Sequence, residues 1–85
     1  MELTTTTWTV ELLLSERDGV THAEARLHTG LPHSLTATGT ARLSPRDHVD
    51  VAEIGYELAA ARALSQLGQT LLATAGLDVD ALSAP

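Results

Sequence analysis

Residues 8–28 read WTVELLLSERDGVTHAEARLH, and this stretch decides the fold. Trp8, Val10, Leu12 and Leu14 alternate with Thr9, Glu11, Leu13 and Ser15, a period of two that puts one row on each face of a strand. Glu16-Arg17-Asp18-Gly19 follows with turn chemistry, glycine being free to take a positive φ. Alternation then resumes, Thr21, Ala23, Ala25 and Leu27 on one face and His22, Glu24, Arg26 and His28 on the other. The two runs form a hairpin. Setting Ser15 opposite Val20 brings Trp8 to Leu27, Val10 to Ala25 and Leu12 to Ala23.

Outward from the hairpin, Gly30-Leu31-Pro32-His33-Ser34 makes a second turn. A third alternating run puts Leu35, Ala37, Gly39, Ala41 and Leu43 on one face and Thr36, Thr38, Thr40 and Arg42 on the other. With Thr29 opposite Leu35, Leu27 meets Ala37 and Ala25 meets Gly39. Both turns keep the apolar rows together, as a meander with one wet face requires.

After residues 44–49 interrupt the alternation, Asp50 and Glu53 have capping-box spacing, and Gly76 is placed to end the helix that follows. The expected fold is therefore α+β in two layers, a three-stranded antiparallel meander (β-β-β) covered by one long C-terminal helix. The whole chain, 1–85, reads as a single domain, with strands at about 5–15, 20–29 and 35–43, a helix at about 51–75 and a short tail, 76–85. The expected core is Trp8, Val10, Leu12, Leu27, Leu35, Leu43, Ile54, Leu58, Leu64 and Leu71.

A helix of about 25 residues is about 38 Å long, whereas a nine-residue strand spans about 30 Å, so the helix should cross the sheet diagonally and overhang it. Its apolar arc (Ile54, Leu58, Ala61, Leu64, Leu67, Leu71, Leu72, Ala75) is too broad for one sheet to cover. Either the tail, through Leu77, Val79 and Leu82, folds back on the flank, or another chain does. Ala61, Gly68 and Ala75 recur every seven residues, where they either fit above the Ala/Gly-rich strands or admit a partner.

The chain carries a net charge of −6 with five arginines and no lysine, which counts against partners bound through their phosphates. No apolar run approaches the ~18 residues a membrane span needs, and the start of the chain lacks the basic and apolar regions of a secretory signal. Without cysteine there is no disulfide framework and no thiolate metal site. A cytoplasmic location is the expectation.

The stretch Ala41-Arg42-Leu43-Ser44-Pro45, then Ile54-Gly55-Tyr56-Glu57-Leu58-Ala59, then Ala61-Arg62-Ala63-Leu64-Ser65 and Leu67, resembles a family of short actinobacterial proteins of unknown function. Ala23-Glu24-Ala25-Arg26-Leu27 fits the same pattern, and the resemblance covers residues 8–75. Tyr56 departs from it, standing where an acidic residue is expected. The resemblance implies a double-stranded-RNA-binding-domain-like (dsRBD-like) fold and brings no catalytic residues with it.

Sites for chemistry are few. His22 and His28 share a strand face about 20 Å apart, too far to bind one ion. His28 could approach His33, but no third ligand is fixed there, and Asp47, His48 and Asp50 form only a loose cluster. Ser44 and Ser65 lack a nucleophile motif. Glu11 and Glu24 fall opposite each other in this register, with Arg26 and Arg42 placed to relieve their repulsion. No catalytic, cofactor-binding or metal-binding residue is assigned. Duplex-RNA binders of the dsRBD-like fold rely on lysines at the start of the final helix; here Asp50, Glu53 and Glu57 stand there and would repel phosphate.

The first and third strands carry neither an inward charge nor a proline to protect their edges. The expectation is thus a non-catalytic protein acting through self-association or protein binding, a homodimer joined through a sheet edge, a helix flank or both. A nucleic-acid-associated module and a small-ligand carrier are the alternatives.

Overall fold

Asp18 and Gly19 link two strands through a two-residue loop with φ of 53° and 76°, the left-handed pair that a type I′ hairpin turn demands. The coordinates are a computed structural model that describes residues 2–32, 34–42 and 51–83, with side chains in the last segment from residue 53. Strand β1 spans Thr9–Arg17 and β2 spans Val20–His28. Arg17, not Ser15, lies opposite Val20, which sets Val10 against Leu27, Leu12 against Ala25 and Leu14 against Ala23. The slip from the expected register is two residues, so every side chain keeps its face. Its cause is Asp18, which accepts the left-handed conformation and lets the turn close on two residues instead of four.

Strand β3, Leu35–Arg42, completes an antiparallel sheet in the order β1-β2-β3. The second connection is, conversely, two residues longer than expected, with Leu27 opposite Leu35 and Ala25 opposite Ala37. Residues 2–8 precede β1 without joining the sheet, so the first strand starts at Thr9 and not near residue 5.

Helix α1 runs from Val51 to Ser83, 33 residues, about 50 Å. The expected end near Ala75 and the tail over 76–85 are corrected through Ser83. Gly76 does not take the positive φ of a helix-ending glycine, and a right-handed glycine inside a helix costs only about 1 kcal/mol. Leu77–Ser83 contains no proline, and the helix continues through it. The molecule is consequently 57 Å in its longest dimension, and nothing from 76–83 folds back over the helix flank.

The buried core consists of Ala23, Ala25 and Leu27 of β2, Ala37 and Ala41 of β3, and Ala59, Ala63 and Leu67 of α1. Leu35 and Leu71 pack partly buried against it. The helix turns its small residues to the sheet: Gly55, Ala59, Ala63 and Leu67, four apart, are buried. Small side chains on both layers let the backbones approach closely. Arg62 then reaches past the sheet edge, its Nη1 donating to the carbonyl oxygen of Thr40 at 2.7 Å.

This arrangement overturns much of the expected core. Leu27 is buried and Leu35 and Leu71 are partly so, but Trp8, Val10, Leu12, Ile54, Leu58 and Leu64 are exposed. Leu43 and the capping residue Asp50 lie outside the described residues. Helix and sheet meet where their side chains are smallest, so the large apolar residues flank the contact instead of filling it. Ala61, Gly68 and Ala75 are all exposed.

Candidate interaction surface

A three-stranded sheet is about 14 Å wide and a helix with its side chains about 10 Å, so one helix covers two strands fully and not three. The alanine and glycine rows of β2 and β3 fix which two. Helix α1 packs chiefly on β3 and β2 and touches β1 only marginally. All nine residues of β1 are exposed. Val10, Leu12 and Leu14, which face the helix layer, keep 44%, 37% and 42% of their surface open, and Trp8 just before them keeps 54%.

The helix supplies a wall to this floor. At about 100° per residue, Ala60, Leu64, Leu71 and Ala75 fall on one side of the buried row, and Leu58 and Arg62 on the other. The Arg62–Thr40 hydrogen bond places the second group toward β3. Leu71 and Ala75 line a cleft of about 420 Å³ with Trp8, Leu27, Leu31 and Leu35, which places the first group toward β1. The result is a trough floored by Trp8, Val10, Leu12 and Leu14 and walled by Leu64 and Leu71. Beyond the sheet, Leu77, Val79 and Leu82 are exposed on the overhanging helix.

The opposite face of the sheet is polar. Glu11 pairs with Arg26 across the strands and Glu24 with Leu13, so the two carboxylates are not opposed as expected. The Arg26 guanidinium lies between them, 2.9 Å from Glu24 and 3.9 Å from Glu11, while His28 Nε2 is 3.5 Å from Glu11. Arg42 pairs through β2 with Val20 at the far strand end and stays out of this group. These side chains are all more than a third exposed, so the group holds little energy.

Among the described residues no three histidine, aspartate or glutamate side chains converge on a point. His22 and His28 remain six positions apart on the exposed face, and Ser65 is exposed on the helix. His33, Ser44, Asp47, His48 and Asp50 lie outside the described residues. No helix among the described residues is long and apolar enough to cross a membrane.

The family model described as Rv2632c-like matches residues 6–85. The chain belongs to the Rv2632c-like family. The uncharacterized protein Mb1767 of Mycobacterium bovis is 43% identical over 76 residues, 89% of this chain and 79% of that protein. The uncharacterized protein Rv2632c of Mycobacterium tuberculosis is 43% identical over 72 residues, 85% of this chain and 75% of that one. The crystal structure of Rv2632c superposes with a TM-score of 0.88 at 39% identity, covering 100% of this chain and 99% of that one. The expected actinobacterial lineage is therefore shown by mycobacterial relatives, and the sheet-and-helix architecture is that of a solved member. The relatives contribute no activity, so function rests on the surface described above.

Proposed function

We propose that this protein is a non-catalytic, cytoplasmic association module that works as a homodimer, with the trough between β1 and α1 as its contact surface. One observation carries the reading: side-chain sizes are inverted between inside and outside. Six of the eight core residues are alanine, whereas fourteen large apolar side chains among the described residues are exposed. Four of those line up as Trp8, Val10, Leu12 and Leu14 beside Leu64. Monomeric domains seldom leave a contiguous apolar surface of that kind to water, and such a patch marks a contact site. Light scattering at tens of micromolar tests this reading. A mass of twice the 8.9 kDa chain supports it, and a mass of one chain overturns it.

A second reading rests on the cleft beside Trp8. Its volume of about 420 Å³ falls within the range of small-ligand sites, and its lining is mostly apolar, with Thr29, Thr74 and Asp78 as its polar members. Trp8 is the chain's one tryptophan, so its fluorescence reports occupancy. Saturable quenching by an apolar probe in the wild type, abolished by Leu71→Asp, supports a carrier; a flat titration removes it.

A further inference from the structure

We propose that two copies join through the free edges of their β1 strands, antiparallel, with Leu12 opposite Leu12 of the second copy, to make one six-stranded sheet. The proposal deepens the homodimer reading and rests on it.

Backbone geometry identifies the free edge. In a two-residue hairpin the pair flanking the turn exchanges both backbone hydrogen bonds, and such pairs alternate along the ladder. Here that pair is Arg17 and Val20. Residues 17, 15, 13, 11 and 9 therefore turn their N–H and C=O groups to β2. Val10, Leu12, Leu14 and Glu16 turn theirs to the open edge. The same alternation carried across β2 points the backbone of Thr36, Thr38, Thr40 and Arg42 outward from β3. That edge is already engaged, since Arg62 occupies the Thr40 carbonyl. The β1 edge has no such cover among the described residues, and an exposed, unprotected edge strand pairs readily.

The register follows from three requirements. Outward-facing backbone groups must meet one another, so even-numbered residues pair with even-numbered ones, which also keeps the helix-side faces together. The open apolar residues Val10, Leu12 and Leu14 are centred on Leu12, so only a two-fold axis there gives each of them an apolar partner within the set. That axis sets Val10 against Leu14 of the second copy and Glu11 against Leu13. Shifting the axis to Glu11 would oppose two like charges at about 5 Å, and shifting it to Leu13 would set Val10 against Glu16.

The occupant is a second copy because the strand complements itself. Apolar residues at 10, 12 and 14 meet the same three under a two-fold operation, so one residue set relieves both chains. The second copy also lies beside the bare floor of the trough. Val10, Leu12 and Leu14 of each chain become the centre of a continuous apolar stripe, with a helix standing on either side of it.

The test uses the absence of native cysteine. Glu11→Cys and Leu13→Cys chains, mixed and oxidised, should cross-link as a heterodimer, because this non-hydrogen-bonded pair has a Cα separation of about 4.5 Å, within disulfide range. Glu11→Cys alone should not cross-link. Val10→Pro removes only an outward N–H, so it should keep the wild-type circular dichroism spectrum and run as a monomer. A dimeric wild type in which Glu11→Cys cross-links to itself, or in which the mixed pair fails to cross-link, overturns this geometry and leaves the homodimer standing. A monomeric wild type overturns both.

Discussion

Gly39 of β3 lies directly beneath the backbone of Ala63 in α1. A methyl group built on Gly39 would collide with the Ala63 nitrogen and stand 2.6 Å from the Ala59 carbonyl oxygen and 2.8 Å from the Arg62 carbonyl carbon. The neighbours are helix backbone, which cannot swing aside as a long side chain can. This contact sets the height of the helix above the sheet. The alanines around it are the side chains short enough to fit that height.

Gly39→Ala should therefore destabilise the fold by about 1–3 kcal/mol, the cost of overpacking a close contact. Gly68 provides the control, because a methyl group there meets nothing within 4 Å. Gly68→Ala should raise stability by up to about 1 kcal/mol through helix propensity alone. Urea denaturation at one protein concentration measures both. Equal effects of the same sign would show that the helix does not rest on Gly39.

Leu27 and Leu12 separate folding from association. Leu27 is 4% exposed in the core, so Leu27→Ala should cost about 2–5 kcal/mol at any protein concentration. Leu12 stays partly open in one chain and closes only against a second. Leu12→Ala should lose more stability in concentrated than in dilute solution, because the dimer adds to stability by mass action. Denaturation midpoints at two concentrations a hundredfold apart check this, and a concentration-independent loss for Leu12→Ala contradicts the trough as a contact surface.

Alternation of apolar and polar residues made the three strands, their order and their faces legible in the sequence. The two-residue slips arose because turn composition shows where a turn is and not how many residues it uses; Asp18 in the left-handed region settled that for the first turn. The core is harder to read, because the leucines of α1 form a more apolar arc than the alanine and glycine row that packs on the sheet. Gly55, Ala59 and Ala63 at four-residue spacing, set against Ala23, Ala37, Gly39 and Ala41, were the available signal for close helix–sheet contact. Reading that row first places Val10, Leu12 and Leu64 outside, and with them the candidate surface. The helix end at Gly76 misled for a related reason: a glycine ends a helix when it turns left-handed, and sequence does not show φ.

Duplex RNA should not bind with useful affinity at physiological salt. The helix opens with Glu53 in its first turn and Glu57 one turn later, and the chain's net charge is −6. Phosphate contacts supply most of the affinity of such complexes, and these carboxylates oppose them. A shift assay across a salt series checks this; saturable binding that weakens steeply with added salt would contradict it.

Thr21 offers the last test, because its side chain is fully buried and its hydroxyl finds no hydrogen-bond partner among the described residues. It sits on the helix side of β2, opposite Glu16 of β1 and Ala41 of β3, so no water reaches it from the open face. A buried hydroxyl left unpaired costs about 1–3 kcal/mol. Valine keeps the branched shape and the strand preference of threonine while replacing the hydroxyl with a methyl group. Thr21→Val should therefore stabilise the fold by about 1 kcal/mol, the lower end of that range, since a methyl group is slightly larger than a hydroxyl and the surroundings are tight. Thr21→Ala removes the hydroxyl but also the methyl group, and the cavity it leaves should cancel the gain. The order of denaturation midpoints should be valine above threonine, with alanine at or below threonine. A midpoint for Thr21→Val below wild type would show that the hydroxyl is held by a hydrogen bond in the folded protein.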